Sequence, residues 1–453
     1  MSDKKFYIET YGCQMNFADT EVVNSILMED GMNPVKTAEE ADVIFVNTCS
    51  IRENAETRVW NRLKEFGALK REKKHLTVGV MGCMAERIKD KIIEQQKLVD
   101  IVVGPDAYRD IPNLLAEVDD GRKAVNVLLS LEETYADITP VRTSGNGLSA
   151  FVSIMRGCDN MCAFCVVPFT RGRERSRPMT SILREIQQLS DEGYKEVTLL
   201  GQNVNSYQYE EIDFTTLMDE ASKVDPEMRI RFSSPHPKDF PEPLLHLIAE
   251  RANLCNYIHM PAQAGSSSML ERMRRPYTRE QYLDLVDQIR EIIPGVALST
   301  DIITGFCGET EEEHRGTMSL MAKVEYDLAY MFAYSERERT LAHRKYEDDV
   351  PEKIKKKRLT EIITQQMNIQ EKNNRKQMGN IHLVLAEGNS KKSDQQLSGR
   401  SDTNSMVVFD KEHYQKGDYV AVEITDCTSA TLIGKPLYKT TTQEFFKREE
   451  VTI

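Results

Sequence analysis

The sequence predicts an α/β fold in three parts: an N-terminal domain with a parallel sheet, a central partial (β/α) barrel, and a small OB-like β-barrel at the C-terminus. Three observations predict it. Short apolar, β-branched runs alternate with helix-length stretches over residues 1–128. A second alternating series fills residues 146–378, with gaps long enough to hold a helix between strands. From residue 379 to 442 the pattern changes to short strands separated by turns.

In the first part, KFYIET (5–10) reads as a strand and the stretch from Glu21 to Met28 as a helix. ADVIFVNTC (41–49) is a buried-strand run, residues 52–70 are helical, and LTVGVMGC (76–83) and DIVVG (100–104) are further strands. PVRTSGNG (140–147) reads as a linker. The central series runs AFVSIMRG (150–157), KEVTLLG (195–201), RIRFSS (229–234), NYIHM (256–260), VALSTDIITG (296–305) and LAYMFAY (328–334). In such folds the active site lies at the C-terminal ends of the strands. A charged helix over 351–377 leads to the last part, where IHLVLAEG, MVVFD, DYVAVEITD and TLIGK are short strands.

The 453 residues suffice for several domains, each with its own core. There is no run of eighteen apolar residues and no apolar leader at the N-terminus, so a cytoplasmic protein without a membrane span is expected. Nine cysteines, an odd number, argue against a disulfide framework and for metal or thiol chemistry. The net charge of -13 argues against binding nucleic acid by a broad basic surface, though not against a local basic groove.

The cysteines carry the chemistry. Cys158, Cys162 and Cys165 form a CxxxCxxC triplet directly after a predicted strand, at the barrel mouth. Soft thiolates ligate iron–sulfur clusters. Three thiolates leave one iron of a 4Fe-4S cluster open to chelate a cofactor through amino and carboxylate groups. A zinc loop would want a fourth ligand close by, and none is adjacent. Cys13 (TYGCQMN), Cys49 (NTCSIRENA) and Cys83 (GVMGCMAER) each follow a strand of the N-terminal domain. Loops after parallel strands emerge on one edge, where three thiols could converge; buried structural cysteines are the plainer alternative. Asn16 and Asn47 lie near them, as possible donors to sulfur or as ordinary loop amides.

YGCQMN, NTCSIRENAE, GCMAER, RGCDNMCAFCVVPFTRGRERSRP and LLGQNVNSY stand in this order along the chain. With them the sequence resembles the radical S-adenosylmethionine (SAM) methylthiotransferases over nearly its whole length; GCQMN and CSIREN favour the branch that acts on tRNA. The resemblance implies a methylthiotransferase N-terminal domain, a radical SAM domain and a C-terminal TRAM domain. It implies two 4Fe-4S clusters, one on Cys158, Cys162 and Cys165 that binds SAM and one auxiliary cluster on Cys13, Cys49 and Cys83. The activity implied is cleavage of SAM to a 5'-deoxyadenosyl radical, hydrogen abstraction at carbon 2 of an N(6)-isopentenyladenosine beside the anticodon, and delivery of a methylthio group there. The implied partners are the anticodon arm of tRNA and an electron donor, met by a single chain.

The same resemblance places Phe164 near the adenine of the cofactor and Gly201, Gln202 and Asn203 near its amino group. Gln263 and Asp301 are polar candidates for ribose or substrate, with strand-end capping as the alternative. Arg171, Arg173, Arg175 and Arg177 in TRGRERSRP form the densest short basic run near a cluster, and RNA contact is expected there. The lysines at 353–357 read as a solvated helix face. Residues Gly379–Lys435 hold six Lys or Arg against eight Asp or Glu, so RNA contact by this part would need a local face or stacking aromatics such as Phe409 or Tyr414. TGFCGET, with Cys307, together with QAGSSSML (263–270) and SERERTLAHRKY (335–346), departs from the family pattern; Cys307, Cys255 and Cys427 read as small buried hydrophobes. Rival functions are modification of a ribosomal protein or of another adenosine derivative, a non-catalytic iron–sulfur RNA-binding protein, and a zinc-dependent RNA-modifying protein.

Overall fold

A computed structural model describes residues 4–49, 53–95, 98–143, 145–238 and 240–452. Residues 50–52 of the NTCSIRENAE segment and residue 144 of the expected linker lie outside the described residues. The N-terminal part is a six-stranded, fully parallel sheet: β1 (Lys5–Tyr11), α1 (Gln14–Glu29), β2 (Asn33–Pro34), β3 (Val43–Thr48), α2 (Glu53–Glu72), β4 (Thr77–Met81), α3 (Cys83–Gln95), β5 (Ile101–Val103), α4 (Ile111–Asp119) and β6 (Ala124–Asn126). Strand order is β2-β1-β3-β4-β5-β6. β3 shows why the sheet is central: all six residues are buried, with Phe45 packed in one core and Ile44 and Val46 in the other. Strands covered on both faces read as continuous apolar runs. The chain leaves β1 toward one side and returns to β3 on the other, which makes the C-terminal ends of β1 and β3 the topological switch point.

The central part begins with β7 (Ser149–Ser153), followed by a hairpin of β8 (Met155–Arg156) and β9 (Arg175–Ser176) that encloses α5 (Val167–Thr170). Then come α6 (Met179–Asp191), β10 (Glu196–Leu200), a small hairpin of β11 (Gln208–Tyr209) and β12 (Ile212–Asp213), α7 (Phe214–Val224), β13 (Arg229–Phe232), α8 (Glu242–Glu250) and β14 (Tyr257–His259). Next are α9 (Ser267–Arg272), α10 (Arg279–Ile292), β15 (Ala297–Thr304), α11 (Glu311–Val324), β16 (Leu328–Ala333), α12 (Leu341–Lys345) and α13 (Glu352–Lys376). The six main strands are parallel and form two three-stranded halves, β7-β10-β13 and β14-β15-β16. A parallel bridge from Ile230 to Leu254 spans the gap between the halves.

The last part is a closed five-stranded barrel of β17 (Ile381–Ser390), β18 (Ser393–Ser401), β19 (Met406–Asp410), β20 (Tyr419–Cys427) and β21 (Leu432–Thr440), followed by α14 (Thr442–Thr452). One expectation fails here, and a second fails in part. Phe409 and Tyr414 are not surface stacking platforms: both are buried and pack edge-on in the barrel core, because Val407 and Phe409 occupy the inward positions of β19. Of the lysines at 353–357, Lys353, Lys356 and Lys357 are exposed as expected, but Lys355 is buried beside Asp348 at 2.7 Å and lies over the Tyr334 ring.

The parts are bonded together. Arg229 donates to Arg400 O and Leu383 O, and Arg231 to Ser401 O and Asp402 O, so two buried side chains of β13 hold the C-terminal barrel by its backbone. The expected linker is packed onto α1: Ser25 donates to Thr139 O, and Asn24 to Val141 O. No described helix is long and apolar enough to cross a membrane.

Candidate functional site

Cys13, Cys49 and Cys83 follow β1, β3 and β4, and Cys13 and Cys49 therefore emerge at the switch point. Backbone packing there is tight. A Cβ at Gly12 would lie 2.6 Å from Cys49 Cβ and from Asn16 Oδ1, and one at Gly82 2.5 Å from Asn47 Oδ1. Both glycines have positive φ, so the sequence needs glycine beside Cys13 and Cys83 on two counts. Asn16 Oδ1 accepts from the Cys13 backbone N–H at 3.3 Å, and its amide donates to Asn47 Oδ1 at 3.1 Å; Asn47 returns a bond to Asn16 O at 2.8 Å. A hydrogen bond from the Cys49 thiol, assisted by the charge of Arg171, lowers the Cys13 thiol to about 6 against the effect of burial. A thiol so lowered is ready to act as a metal ligand near neutral pH.

Cys158, Cys162 and Cys165 sit in the β8–β9 hairpin and open on a cavity of about 560 Å³ at the C-terminal ends of the barrel strands. Burial pushes the Cys165 thiol up to about 12, with the charges of Cys162 and, further off, Cys83 adding to the rise. Arg171, in the same hairpin as Cys165, donates from Nε to Cys83 Sγ at 3.2 Å across the junction of the two parts. Among the described residues no group of three or more His, Cys, Asp or Glu is gathered to hold a single ion. A four-iron cluster is a larger body and takes thiolates set apart around it.

Phe164, Gln202, Gln263 and Asp301 line the same cavity as the three thiols. Gln202 Oε1 accepts from Gly157 N–H at 2.6 Å, leaving its buried Nε2 donor without a protein partner. Gln263 holds φ +68° and is pinned by backbone bonds to Asp301 and Ile303. Gly201 and Asn203 do not line that wall. Gly201 packs on Met155, and Asn203 donates to Glu174 Oε1 at 3.2 Å.

Sequence reasoning missed His236, Arg275 and Arg337, which also line the cavity. His236 Nδ1 accepts from Lys238 N–H, so the proton sits on Nε2, a buried donor with no protein partner. Burial, helped by Arg275 and Lys238, lowers His236 to about 3 and keeps it neutral. The only signal was its position in SSPHP, just beyond the third barrel strand.

The arginine run corrects the expectation of RNA contact. Arg171, Arg175 and Arg177 are buried and bound to carboxylates, Arg171 to Asp19 at 2.6 Å, Arg175 to Asp106 at 2.9 Å and Arg177 to Glu185 at 2.8 Å. Arg156 joins this lattice through Asp19 at 2.9 Å. Only Arg173, at the turn made by Gly172, is exposed, beside Asp159. A buried cation is retained where a carboxylate meets it, and these arginines meet carboxylates of the N-terminal part and of α6. Cys307 and Cys255 are buried and Cys427 half-buried. Segment 263–270 packs on α11, where a Cβ at Gly265 would lie 2.6 Å from Gly316 O.

Comparison with known proteins decides the family. Residues 5–104 match the uncharacterized protein family UPF0004, residues 152–321 the radical SAM superfamily and residues 375–437 the TRAM domain. The chain is 56% identical over 436 residues to a tRNA-2-methylthio-N(6)-dimethylallyladenosine synthase of Chloroherpeton thalassium, with 96% of each chain covered. It is 53% identical to the synthase of that name from Christiangramia forsetii, covering 96% of this chain and 94% of the relative. The chain belongs to the tRNA-2-methylthio-N(6)-dimethylallyladenosine synthase family. It is also 51% identical to the mouse mitochondrial tRNA methylthiotransferase CDK5RAP1, covering 97% and 82% of the two chains. Among solved structures, the radical SAM methyltransferase TsrM from Kitasatospora setae shares the fold, with a TM-score of 0.55 at 15% identity over 74% and 72% of the chains. The cobalamin-dependent radical SAM enzyme OxsB shares it at a TM-score of 0.53 and 13% identity, over 80% and 56%. Membership of the synthase family makes this chain a radical SAM enzyme that transfers a sulfur-containing group.

Proposed function

We propose that this chain inserts a methylthio group at carbon 2 of N(6)-isopentenyladenosine next to the anticodon of tRNA. The observation that carries the reading is the arrangement of two cysteine triplets on either side of one junction, where Arg171, from the hairpin that carries Cys158, Cys162 and Cys165, donates to Cys83 Sγ at 3.2 Å. Cys158, Cys162 and Cys165 would hold a 4Fe-4S cluster, and Cys13, Cys49 and Cys83 an auxiliary one. Together with SAM these groups supply a carbon-centred radical able to break an unactivated C–H bond, and a sulfur to replace the hydrogen. The chain's own residues bind, orient and exclude water. Phe164 and Met331 give the cavity apolar wall, while Gln202, Gln263 and Asp301 offer polar contacts for SAM and the base. Neutral His236 presents a fixed N–H donor that cannot scavenge a proton near neutral pH. Buried donors on this cavity without a protein partner, Gln202 Nε2, His236 Nε2 and Arg337 Nε among them, ask for a ligand rich in acceptors, as a nucleoside is. Arg173, exposed and paired with Asp159 at 2.7 Å, is the member of the basic run that a phosphate could reach by displacing that carboxylate, and an external electron donor completes the system.

The test is mass spectrometry of nucleosides from isopentenylated tRNA incubated anaerobically with the reduced, cluster-loaded protein and SAM. A methylthio product is expected. Formation of 5'-deoxyadenosine without methylthio product on tRNA, but with product on a ribosomal protein, would move the substrate to the rival class. Iron analysis should find about eight irons per chain, from two four-iron clusters. Cys83→Ala should leave about four, and an unchanged count would sink the two-cluster reading.

A further inference from the structure

Two buried arginines stand out because each donates a hydrogen bond to one thiol of one triplet. Arg171 Nε lies 3.2 Å from Cys83 Sγ, and Arg275 Nη1 lies 3.3 Å from Cys162 Sγ. Both side chains come from the central part, so the auxiliary triplet is completed by a donor from outside its own domain. Each guanidinium is aimed by its other bonds. Arg171 Nη2 is tied to Asp19 Oδ2 at 2.6 Å. Arg275 Nε donates to Tyr277 OH at 2.8 Å and its Nη2 to Pro261 O at 3.2 Å. The planar fork cannot swing away from sulfur without breaking these anchors.

We propose that Arg171 and Arg275 are positioning residues that each raise the reduction potential of one cluster, Arg171 through Cys83 and Arg275 through Cys162. The proposal rests on the reading that the two triplets hold two clusters. A donor to a ligand thiolate, carried on a cation in a water-poor site, stabilises the more negative, reduced cluster. The two arginines are not equivalent. The charge of Arg171 is offset by Asp19, a carboxylate also bonded to Arg156. Arg275 is anchored by a tyrosine hydroxyl and a backbone carbonyl, so its charge acts on Cys162 without a bonded counter-ion. The cluster beside Arg275 therefore has the larger share of its potential set by one side chain.

The experiment is a redox titration of the full-length chain with dithionite, each one-electron reduction followed by paramagnetic resonance. Arg171→Gln is measured with Cys158, Cys162 and Cys165 replaced by alanine, and Arg275→Gln with Cys13, Cys49 and Cys83 replaced. Each midpoint is expected to move to a more negative potential, the Arg275→Gln shift being the larger. Arg156→Gln serves as control: it breaks a bond to Asp19 in the same lattice but touches no thiol, so it should move the auxiliary midpoint less than Arg171→Gln does and leave the other in place. Equal shifts in Arg156→Gln and Arg171→Gln would reduce Arg171 to a packing role and overturn the proposal. Unmoved midpoints would overturn it too. Should Arg171→Gln not fold, Arg171→Lys keeps the Asp19 pair and loses the planar second donor, and a parental midpoint there also overturns the role. Absence of any cluster on Cys13, Cys49 and Cys83 is a separate result, overturning the two-cluster reading and the Arg171 arm together.

Discussion

At the scale of single residues, buried carboxylates decide how the molecule responds to pH. Glu21 on α1 faces Arg142 at 3.4 Å, and Arg142 is shared with Glu185 at 2.6 Å. Burial pushes the Glu21 carboxyl up to about 7; Arg142 pulls it down and Glu185 adds to the rise. The unfolded value is near 4.5, so the stability Glu21 contributes is full below that pH and is lost as pH rises through about 7. Glu21→Gln does not titrate. Its unfolding free energy is expected to gain on the parent between pH 5 and pH 8, by an amount on the order of 1–3 kcal/mol. The same gap at both pH values would show that the carboxyl is not held protonated. The arginines of the TRGRERSRP run also belong to this scale. Nothing in their spacing tells a phosphate ligand from a buried counter-ion, because two of the carboxylates lie far away in the chain, 152 residues for Arg171 and Asp19 and 69 for Arg175 and Asp106.

At the scale of elements, the loops after β1 and β4 are the demanding pieces. Gly82 has φ +92° and no room for a methyl group against Asn47 and Thr48. Gly82→Ala is expected to cost about 2–3 kcal/mol in urea unfolding and to lower the iron content toward four per chain. Parental stability together with full iron would mean that the loop yields. Elements with one clear periodicity were legible: β3, β15 and α13 stand within a residue or two of where the apolar pattern put them. β18, Ser393–Ser401, was not legible, because only Leu397, Gly399 and Ser401 of its nine residues are buried and it carries no apolar alternation. The three-residue β6 was too short to signal itself. Among site residues, Cys158, Cys162 and Cys165 declare themselves by spacing, whereas Cys13, Cys49 and Cys83 are marked only by their shared place after strands. His236 does not declare itself, since its role follows from an unpaired donor facing a cavity.

At the scale of the whole molecule, the N-terminal sheet and the central barrel share one buried ionic lattice. Asp19 takes Arg156 and Arg171 on its two oxygens and also accepts from Tyr108 OH. Asp19→Asn leaves two buried guanidinium groups short of a counter-charge and is expected to cost about 3–5 kcal/mol. Calorimetry should then show the N-terminal part melting at a lower temperature than in the parent, as it loosens from the barrel. A single transition at parental temperature would place the bonding between the parts elsewhere, for example in the apolar contact of Met15 and Ala18 with Leu200.

That lattice has a consequence for how the protein is made. Asp19 leaves the ribosome long before Arg171 does, and 152 residues separate them. At about 5–20 residues per second the interval is roughly ten to thirty seconds. For the last 88 residues of that interval, from Cys83 to Arg171, the nascent chain carries Cys13, Cys49 and Cys83 without the guanidinium that will neighbour Cys83. With the proposed auxiliary cluster on these thiols, metallation is best served late, once the barrel has docked.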